Sequence, residues 1–135
     1  MSGPHKEREN VMKRDMDLIR AILIVAEDQE EAIVESHVIS LALRERFPEI
    51  SMDDGKLVEH VQQMYESGFV ETTIDATMGE GRFFTFLRLT SHGHDFLADA
   101  RNEKVWEQAK SRAGNASIEV FTKVLAEVVK NVIGL

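Results

Sequence analysis

The residues that most suggest a chemical site are two histidines separated by one glycine. They lie in the segment 87–101, which reads LRLTSHGHDFLADAR. The segment is typical of a strand that ends and a helix that begins. On a helix, side chains two positions apart project about 200° from each other, so His92 and His94 cannot share a metal ion. No third ligand follows at a spacing typical of metal sites, so we predict no metal site here.

Other patterns that would indicate catalysis are missing. The segment Gly79-Glu-Gly81 lacks the lysine and the helix start that a phosphate-binding loop needs. No nucleophile elbow occurs, and the chain has no cysteine. The acidic pairs Asp15/Asp17 and Asp53/Asp54 suit helix starts, where carboxylates interact favourably with the helix dipole. The sequence therefore predicts a protein that is not an enzyme and needs no cofactor.

Length and composition predict one globular domain. The 135 residues are 43% hydrophobic and 30% charged, enough for a core and a polar surface. The longest dense apolar run, Ala21 to Ala26, is too short to span a bilayer. Without cysteines or an apolar leader, we expect a cytoplasmic protein with no membrane partner. Net charge is -8, and residues 21–80 hold 14 acidic and 3 basic groups.

Hydrophobic periodicity predicts the elements that would position any site. Spacings of three and four predict helices over 12–28, 37–47, 52–67, 91–101, a further piece to about 112, and 118–135. Alternating β-branched and aromatic residues predict strands over 69–75 and 82–89, and 32–35 is expected to be a short extended piece.

Local signals predict how these helices begin and how they face the core. The predicted N-caps are Ser36, Ser51, Thr90 or Ser91, and Ser117. Gly68 is expected to end the third helix in a left-handed conformation, and Gly93 to allow close packing of the fourth. The predicted inward residues of the second and third helices are Val38, Leu41, Ala42, Leu57, Val58, Val61, Met64 and Tyr65.

Three helices followed by a hairpin and a further helix predict a mainly α fold with one β-hairpin. That order is the layout of a winged helix-turn-helix domain followed by C-terminal helices. We predict a flexible extension at 1–11, the winged helix at 12–101 and a helical extension at 102–135, in which 117–135 is a possible dimerisation helix.

Two motifs resemble a known family. They are Met12-Lys-Arg-Asp-Met-Asp-Leu-Ile-Arg20 and Leu89-Thr-x-x-Gly-His-Asp-Phe-Leu97 with Arg101. Together they resemble a family of small bacterial and phage proteins that is catalogued as a domain of unknown function and is winged-helix-like. The resemblance covers about 12–130. It implies the fold and a bacterial, phage or prophage setting, but no established activity.

The winged helix raises the hypothesis of a DNA-binding transcriptional regulator. The third helix would enter the major groove of double-stranded DNA, and the hairpin would touch the backbone. The candidate DNA-binding residues are Lys56, His60, Gln63, Arg82 and Arg88. The acidic excess over 21–80 opposes this hypothesis, because each phosphate contact needs a basic group.

The alternative is an acidic protein–protein interaction module that does not bind DNA. If the second strand alternates with Leu87 and Leu89 inward, Phe84, Phe86 and Arg88 face outward. Exposed aromatics beside an arginine are typical of an interaction hot spot. The last helix or the twist of the sheet could instead cover these aromatics.

The last helix carries an apolar seam that also needs a partner. Its apolar residues recur at alternating spacings of three and four, close to the 3.5-residue repeat that is typical of helix–helix packing. We predict either an intramolecular partner or a homodimer through this seam. The seam residues nominated for interaction are Phe121, Leu125, Val128 and Val132.

Overall fold

The computed structural model of the chain describes residues 14–29, 34–77 and 81–133. In these ranges the chain forms six helices and one two-stranded antiparallel sheet. The elements are α1 (Met16–Glu27), α2 (Ser36–Arg46), α3 (Asp54–Glu66), β1 (Val70–Thr77), β2 (Gly81–Leu89), α4 (Ser91–Ala100), α5 (Glu103–Ala113) and α6 (Ile118–Ile133). The predicted fold is confirmed: α1, α2 and α3 precede a hairpin, hereafter the wing, and C-terminal helices follow.

Helix α1 is the centre of the fold. Every residue from Leu18 to Val25 except Arg20 is buried. The helix is enclosed because α2, α3, α4 and the second wing strand all pack against it. Among the described residues, no helix has both the length and the apolar character needed to cross a membrane.

Two predicted caps are wrong by one or two positions. Helix α3 begins after Asp53, whose carboxylate accepts from the Lys56 N–H at 2.8 Å, and Ser51 is not its cap. Ser36 is the first residue of α2, and its hydroxyl accepts a long bond from the Phe84 N–H at 3.4 Å. The carboxylate of Asp53 is a stronger acceptor for the N–H groups at a helix start than a serine hydroxyl. Ser36 does not cap α2, because its hydroxyl bonds to the wing. The expected extended piece at 32–35 lies partly outside the described residues.

The junction between the wing and α4 is confirmed as predicted. Gly68 has a φ of 80° after α3. Thr90 caps α4 by accepting from the Gly93 N–H at 3.0 Å, and its own hydroxyl donates to the Gly68 carbonyl. A Cβ at Gly93 would overlap the backbone carbonyl of Phe69. A side chain at position 93 would therefore force α4 away from the start of the wing.

The wing contains a β-bulge that the sequence pattern does not reveal. Thr72 pairs with Leu87 and Ile74 pairs with Phe84, so β2 has one extra residue between these pairs. The Thr72 hydroxyl donates to the Phe86 carbonyl at 2.6 Å within the irregular stretch. A bulge shifts the phase of alternation, and Phe84 becomes fully buried together with Leu87. The prediction of an exposed Phe84 is wrong, and Phe86 is half-buried.

Helix α2 presents a different face to the core than expected. Ile39 and Leu43 are buried one helical turn apart, against α1 and α3. Val38 and Leu41, predicted to face inward, are 40% and 54% exposed. On α3, Tyr65 is also predicted to face inward but is 50% exposed. The other predicted inward residues of α3 are buried, namely Leu57, Val58, Val61 and Met64.

The C-terminal helices share the core of the winged helix. Trp106 of α5 lies between Phe96 of α4 and Phe121 of α6, with ring centroids 6.2 and 5.1 Å away. Phe121, Leu125 and Val128 are buried within the single chain, so they do not form an exposed seam. Helix α5 is the main intramolecular partner of α6. Val132 is half-buried against the same core, and the homodimer stays a prediction.

Candidate recognition surface

The side of the molecule that a winged helix uses for recognition is here formed by α2, α3 and β2. We call the exposed and half-buried residues of these three elements the helix-turn-helix face. On α3 the face carries the carboxylates of Asp54, Glu59 and Glu66, and Lys56 is the one cation of that helix. The electrostatic potential around the exposed side of α3 is therefore negative.

Lys56, a candidate phosphate contact, is engaged inside the protein. Its ammonium lies 3.0 Å from the Asp15 carboxylate and 2.8 Å from the Ser51 carbonyl oxygen. Asp15 is also the N-cap of α1, where it accepts from the Leu18 N–H. Lys56 therefore joins the start of α3 to the start of α1, and a phosphate would have to compete with both bonds.

His60, a second DNA-binding candidate, is not on the surface. It is 1% exposed and lies between α3 and the start of α1. The backbone N–H of Asp15 donates to its Nε2 at 2.9 Å, so its Nδ1, 2.8 Å from the Lys56 carbonyl oxygen, carries the proton. Burial lowers the pKa of His60 and favours this neutral form. The interpretation of His60 as a base-reading residue is wrong, because both ring nitrogens serve the fold.

The glutamines of α3 are also paired. The Oε1 atom of Gln63 accepts from Arg14 at 3.2 Å, and Arg14 donates in addition to the Ala116 carbonyl. Gln62 donates to Glu66 at 3.0 Å, one turn further along the helix. Gln63 therefore sits at the edge where α3 meets the residues before α1 and α6, and only part of its hydrogen-bonding capacity is left.

The two wing arginines complete the predicted set, and each has an acidic partner. Arg82 lies 2.8 Å from Glu59, which connects the wing to α3. Arg88 forms an ion pair with Glu71, the residue directly opposite on β1. The structure thus brings Lys56, His60 and Gln63 together near the start of α1, and holds Arg82 and Arg88 apart on the wing.

The same face contains a groove that the sequence analysis did not predict. It lies between α2, α3 and β2, and its volume is about 280 Å³. Leu41, Leu57 and Phe83 supply its apolar walls, and Arg44, Asp54 and Arg82 supply its charged rim. Exposed Val38 lies three residues before Leu41 on α2. The sequence gives no signal for this groove, because Ile39 and Leu43 are four residues apart and Val38 and Leu41 are three apart, so both sides of α2 have a helical apolar spacing.

The two histidines of the segment 87–101 have structural neighbours. His94 lies 2.8 Å from Glu27 at the end of α1, and Arg101 lies 2.6 Å from the same carboxylate. The hydrogen bond from Arg101 holds the pKa of Glu27 below its ordinary value. The His92 ring packs on Phe69 at 4.9 Å. Over 14–29, 34–77 and 81–133, no three His, Asp or Glu side chains gather as metal ligands would.

Comparison with known proteins assigns the chain to a family. A family model described as "Hypothetical protein (DUF2513)" matches residues 13–119. The chain belongs to this family. The resemblance to a domain of unknown function is thereby confirmed, and the phage or prophage setting stays a prediction.

Two further similarities accompany the DUF2513 match. A protein of Haemophilus influenzae described as uncharacterized is 28% identical over 122 residues, which cover 90% of this chain and 96% of that protein. A solved PadR-like transcriptional regulator from Bacillus cereus aligns with a TM-score of 0.48 at 17% identity. That alignment covers 74% of this chain and 91% of that one.

Within the matched DUF2513 region, one polar cluster was missed by sequence reasoning. Asp17 lies in the first turn of α1, as predicted, and its carboxylate also accepts from the Trp106 indole at 2.8 Å and from Lys110 at 3.0 Å. Burial alone would raise the pKa of Asp17, and these two bonds outweigh it and lower that pKa. Arg20, one turn away, lies over the Trp106 ring at 5.5 Å. The cluster fastens α5 to α1.

Proposed function

We propose that this protein is a regulatory winged-helix module that binds another protein through its helix-turn-helix face. The observation that carries the proposal is the exposure of Val38 and Leu41 beside the groove between α2, α3 and β2. Exposed apolar side chains that border a groove are typical of protein-binding surfaces.

The charges around the groove indicate what kind of partner fits. Asp54 is 81% exposed at the rim, and Glu66 is exposed further along α3. The nearby Arg82 is already paired with Glu59. A segment with one or two apolar side chains, a lysine or arginine that faces Asp54 and a carboxylate that faces Arg44 would match this surface, because opposite charges attract and like charges repel.

A test of the proposal compares two matched surface variants. In one, Val38 and Leu41 are both replaced by Ser; in the other, Val120, which is 48% exposed on α6, is replaced by Ser. A protein captured by the wild type is purified and titrated against all three by calorimetry. We expect the double variant to bind at least about tenfold more weakly, since each apolar anchor contributes about 1 kcal/mol or more. Equal binding by the double variant, or a loss only in the Val120 variant, would contradict the proposal.

DNA binding is the second candidate, and one observation favours it. The ion pair between Arg82 and Glu59 holds the wing against α3, so the two elements form one continuous surface. A winged helix that contacts both the major groove and the DNA backbone needs such a surface. The pairing of Lys56, Arg82 and Arg88 with carboxylates opposes it, because each pair must be broken to release a cation for phosphate.

Fluorescence anisotropy with labelled duplexes from the protein's genomic neighbourhood separates the two candidates. The protein-binding proposal predicts no saturable binding even at about 50 mM salt, where phosphate contacts are strongest. Saturable binding that weakens steeply by about 200 mM salt, and that Arg82→Gln reduces, would establish the DNA candidate instead. The exposed Lys104, on α5 and away from the face, supplies the control variant Lys104→Gln.

A further inference from the structure

A second cavity lies behind the helix-turn-helix face, under the connection from α2 to α3. Its volume is about 250 Å³. Leu18 of α1 and Leu43 of α2 form a buried floor, and Phe47, Ile50 and Met52 of the connection form half-buried walls. Apolar cavities of roughly 150 Å³ already accept a benzene ring in other proteins. This cavity is therefore large enough for an apolar group of the size of a benzene ring.

Of the residues that the structure describes, Arg44 is the one charged residue that lines this cavity. Among the described residues, the nearest carboxylate to its guanidinium is that of Asp54 at 3.9 Å, beyond hydrogen-bond distance, and 56% of the Arg44 side chain is exposed. Arg46 and Arg82 are held more tightly, each with a carboxylate at 2.8 Å. Arg44 thus keeps donors for an external anion, and the planar guanidinium fits a carboxylate with two parallel hydrogen bonds.

We propose that this cavity is an effector site for a small carboxylic acid with an apolar body, such as an arylalkanoic acid. The apolar body would fill the space over Leu18 and Leu43, and the carboxylate would bind Arg44 at the mouth. The neighbouring cavity between α1 and α5 does not suit such a ligand. Two cations, Arg20 and Lys110, line it and are already paired with Glu103 and Asp17. Its carboxylates outnumber them and would repel an acid; they belong to Asp15, Asp17, Glu49, Glu103 and Glu107.

The position of the cavity gives the ligand a way to act on recognition. Its walls at Phe47, Ile50 and Met52 belong to the connection that leads directly into α3. A ligand that packs against these side chains would fix the start of α3 relative to α2, and with it the groove on the helix-turn-helix face. The binding step stands on its own, whereas this regulatory consequence rests on the proposed function.

Calorimetric titration with 3-phenylpropionate, repeated with the neutral 3-phenylpropanamide, tests the site. We expect saturable binding of the acid, and binding of the amide about tenfold weaker because the charge-assisted bonds are lost. Arg44→Gln should weaken acid binding by a similar factor and leave amide binding unchanged. Arg112→Gln is the matched control: Arg112 is exposed on α5, it does not line the cavity, and acid binding should be unchanged.

Methyl NMR spectra recorded during the same titration locate the ligand. Shifts at Leu43, Ile50 and Met52 are expected, and shifts confined to other methyl groups would overturn the proposal. Equal acid binding by the Arg44→Gln variant, or no saturation by about 10 mM acid, a concentration above the ~1 mM range of weak ligands, would overturn it as well. Leu41→Ser should leave acid binding intact, so a failed protein partner and a failed effector site give different results.

Discussion

At the scale of single residues, His60 shows how position decides the role of a side chain. A histidine on the predicted recognition helix was a natural candidate for contacting bases. In the structure its ring links the Lys56 carbonyl oxygen to the Asp15 N–H across two helices. If the ring were protonated, its Nε2 would carry a hydrogen that faces the Asp15 N–H, and the hydrogen bond between them would be lost. The folded state therefore prefers the neutral ring.

The buried His60 should make stability fall in mild acid. Its pKa is lowered in the folded state, so below the ordinary value of 6.5 the unfolded chain takes up a proton that the folded chain does not. The free energy of unfolding should therefore be lower at about pH 5.5 than at about pH 7.5, as measured by urea denaturation. In His60→Gln this difference should shrink, and stability at the higher pH should drop by about 1–3 kcal/mol because one hydrogen bond is left unmade.

The control for this prediction is His37, an exposed histidine on α2. The variant His37→Gln should keep both the stability and the pH dependence of the wild type. An unchanged pH dependence in His60→Gln would show that other groups cause the loss in acid.

Two glycines in helices should respond to alanine in opposite directions. At Gly93 a Cβ would overlap the Phe69 carbonyl, so Gly93→Ala should cost about 3 kcal/mol or more as α4 moves away. Gly55 is at an exposed position of α3 and the nearest atom to a Cβ there is 3.4 Å away, so Gly55→Ala should stabilise by about 0.5–1 kcal/mol. Thermal melts followed by circular dichroism measure both. A neutral Gly93→Ala would mean that the α4–wing junction is not tightly packed.

At the scale of elements, the bulge in the wing determines which aromatic side chains belong to the core. Phe84 is fully buried and Phe86 is half-buried. Phe84→Ala should therefore cost about 3–5 kcal/mol, the usual range for a core phenylalanine, and Phe86→Ala clearly less. Urea denaturation of the two variants side by side tests this order. The reverse order would indicate a wing without the bulge, in which simple alternation turns Phe84 outward.

The elements could be predicted from the sequence because their signals are local. Periodicity located six helices and two strands, and Thr90, Gly68 and Gly93 marked a junction that the structure confirms. The face of α2 could not be predicted, because apolar residues lie on both of its sides and packing against α1 and α3 chooses between them. The bulge was also missed, because alternation in one strand carries no information about its register with another.

The candidate site was harder to predict because its contacts are distant in sequence. Lys56 and Asp15 are 41 residues apart, and His60 and Asp15 are 45 residues apart. A lone lysine and a lone histidine on an amphipathic helix give no indication of a partner so far away. The acidic balance of residues 21–80 was visible from the sequence, and it correctly indicated that α3 carries more carboxylates than cations.

At the scale of the whole molecule, the C-terminal helices complete the core of the winged helix. Trp106 contacts Phe96 and Phe121, and its indole donates to Asp17 of α1. Arg20 donates to the Ala100 carbonyl at 2.7 Å and forms an ion pair with Glu103. These contacts connect α5 and α6 to α1 and α4, so one packed core extends across the predicted boundary at residue 101.

The full chain should therefore unfold in a single transition. Trp106 fluorescence and far-UV circular dichroism should give the same urea midpoint, as two-state unfolding requires. A chain that ends at Arg101 should show no cooperative transition. The shortened chain lacks both Trp106 and Phe121, and the loss of one buried aromatic side chain costs about 3–5 kcal/mol. The free energy of unfolding of a typical domain is only about 5–15 kcal/mol, so the two losses together could remove most of it. Lys104→Ala, a change at an exposed position of α5, should leave both midpoints unchanged. If the shortened chain instead melts cooperatively near the wild-type midpoint, the winged helix is an independent domain and α5 and α6 are an appendage to it.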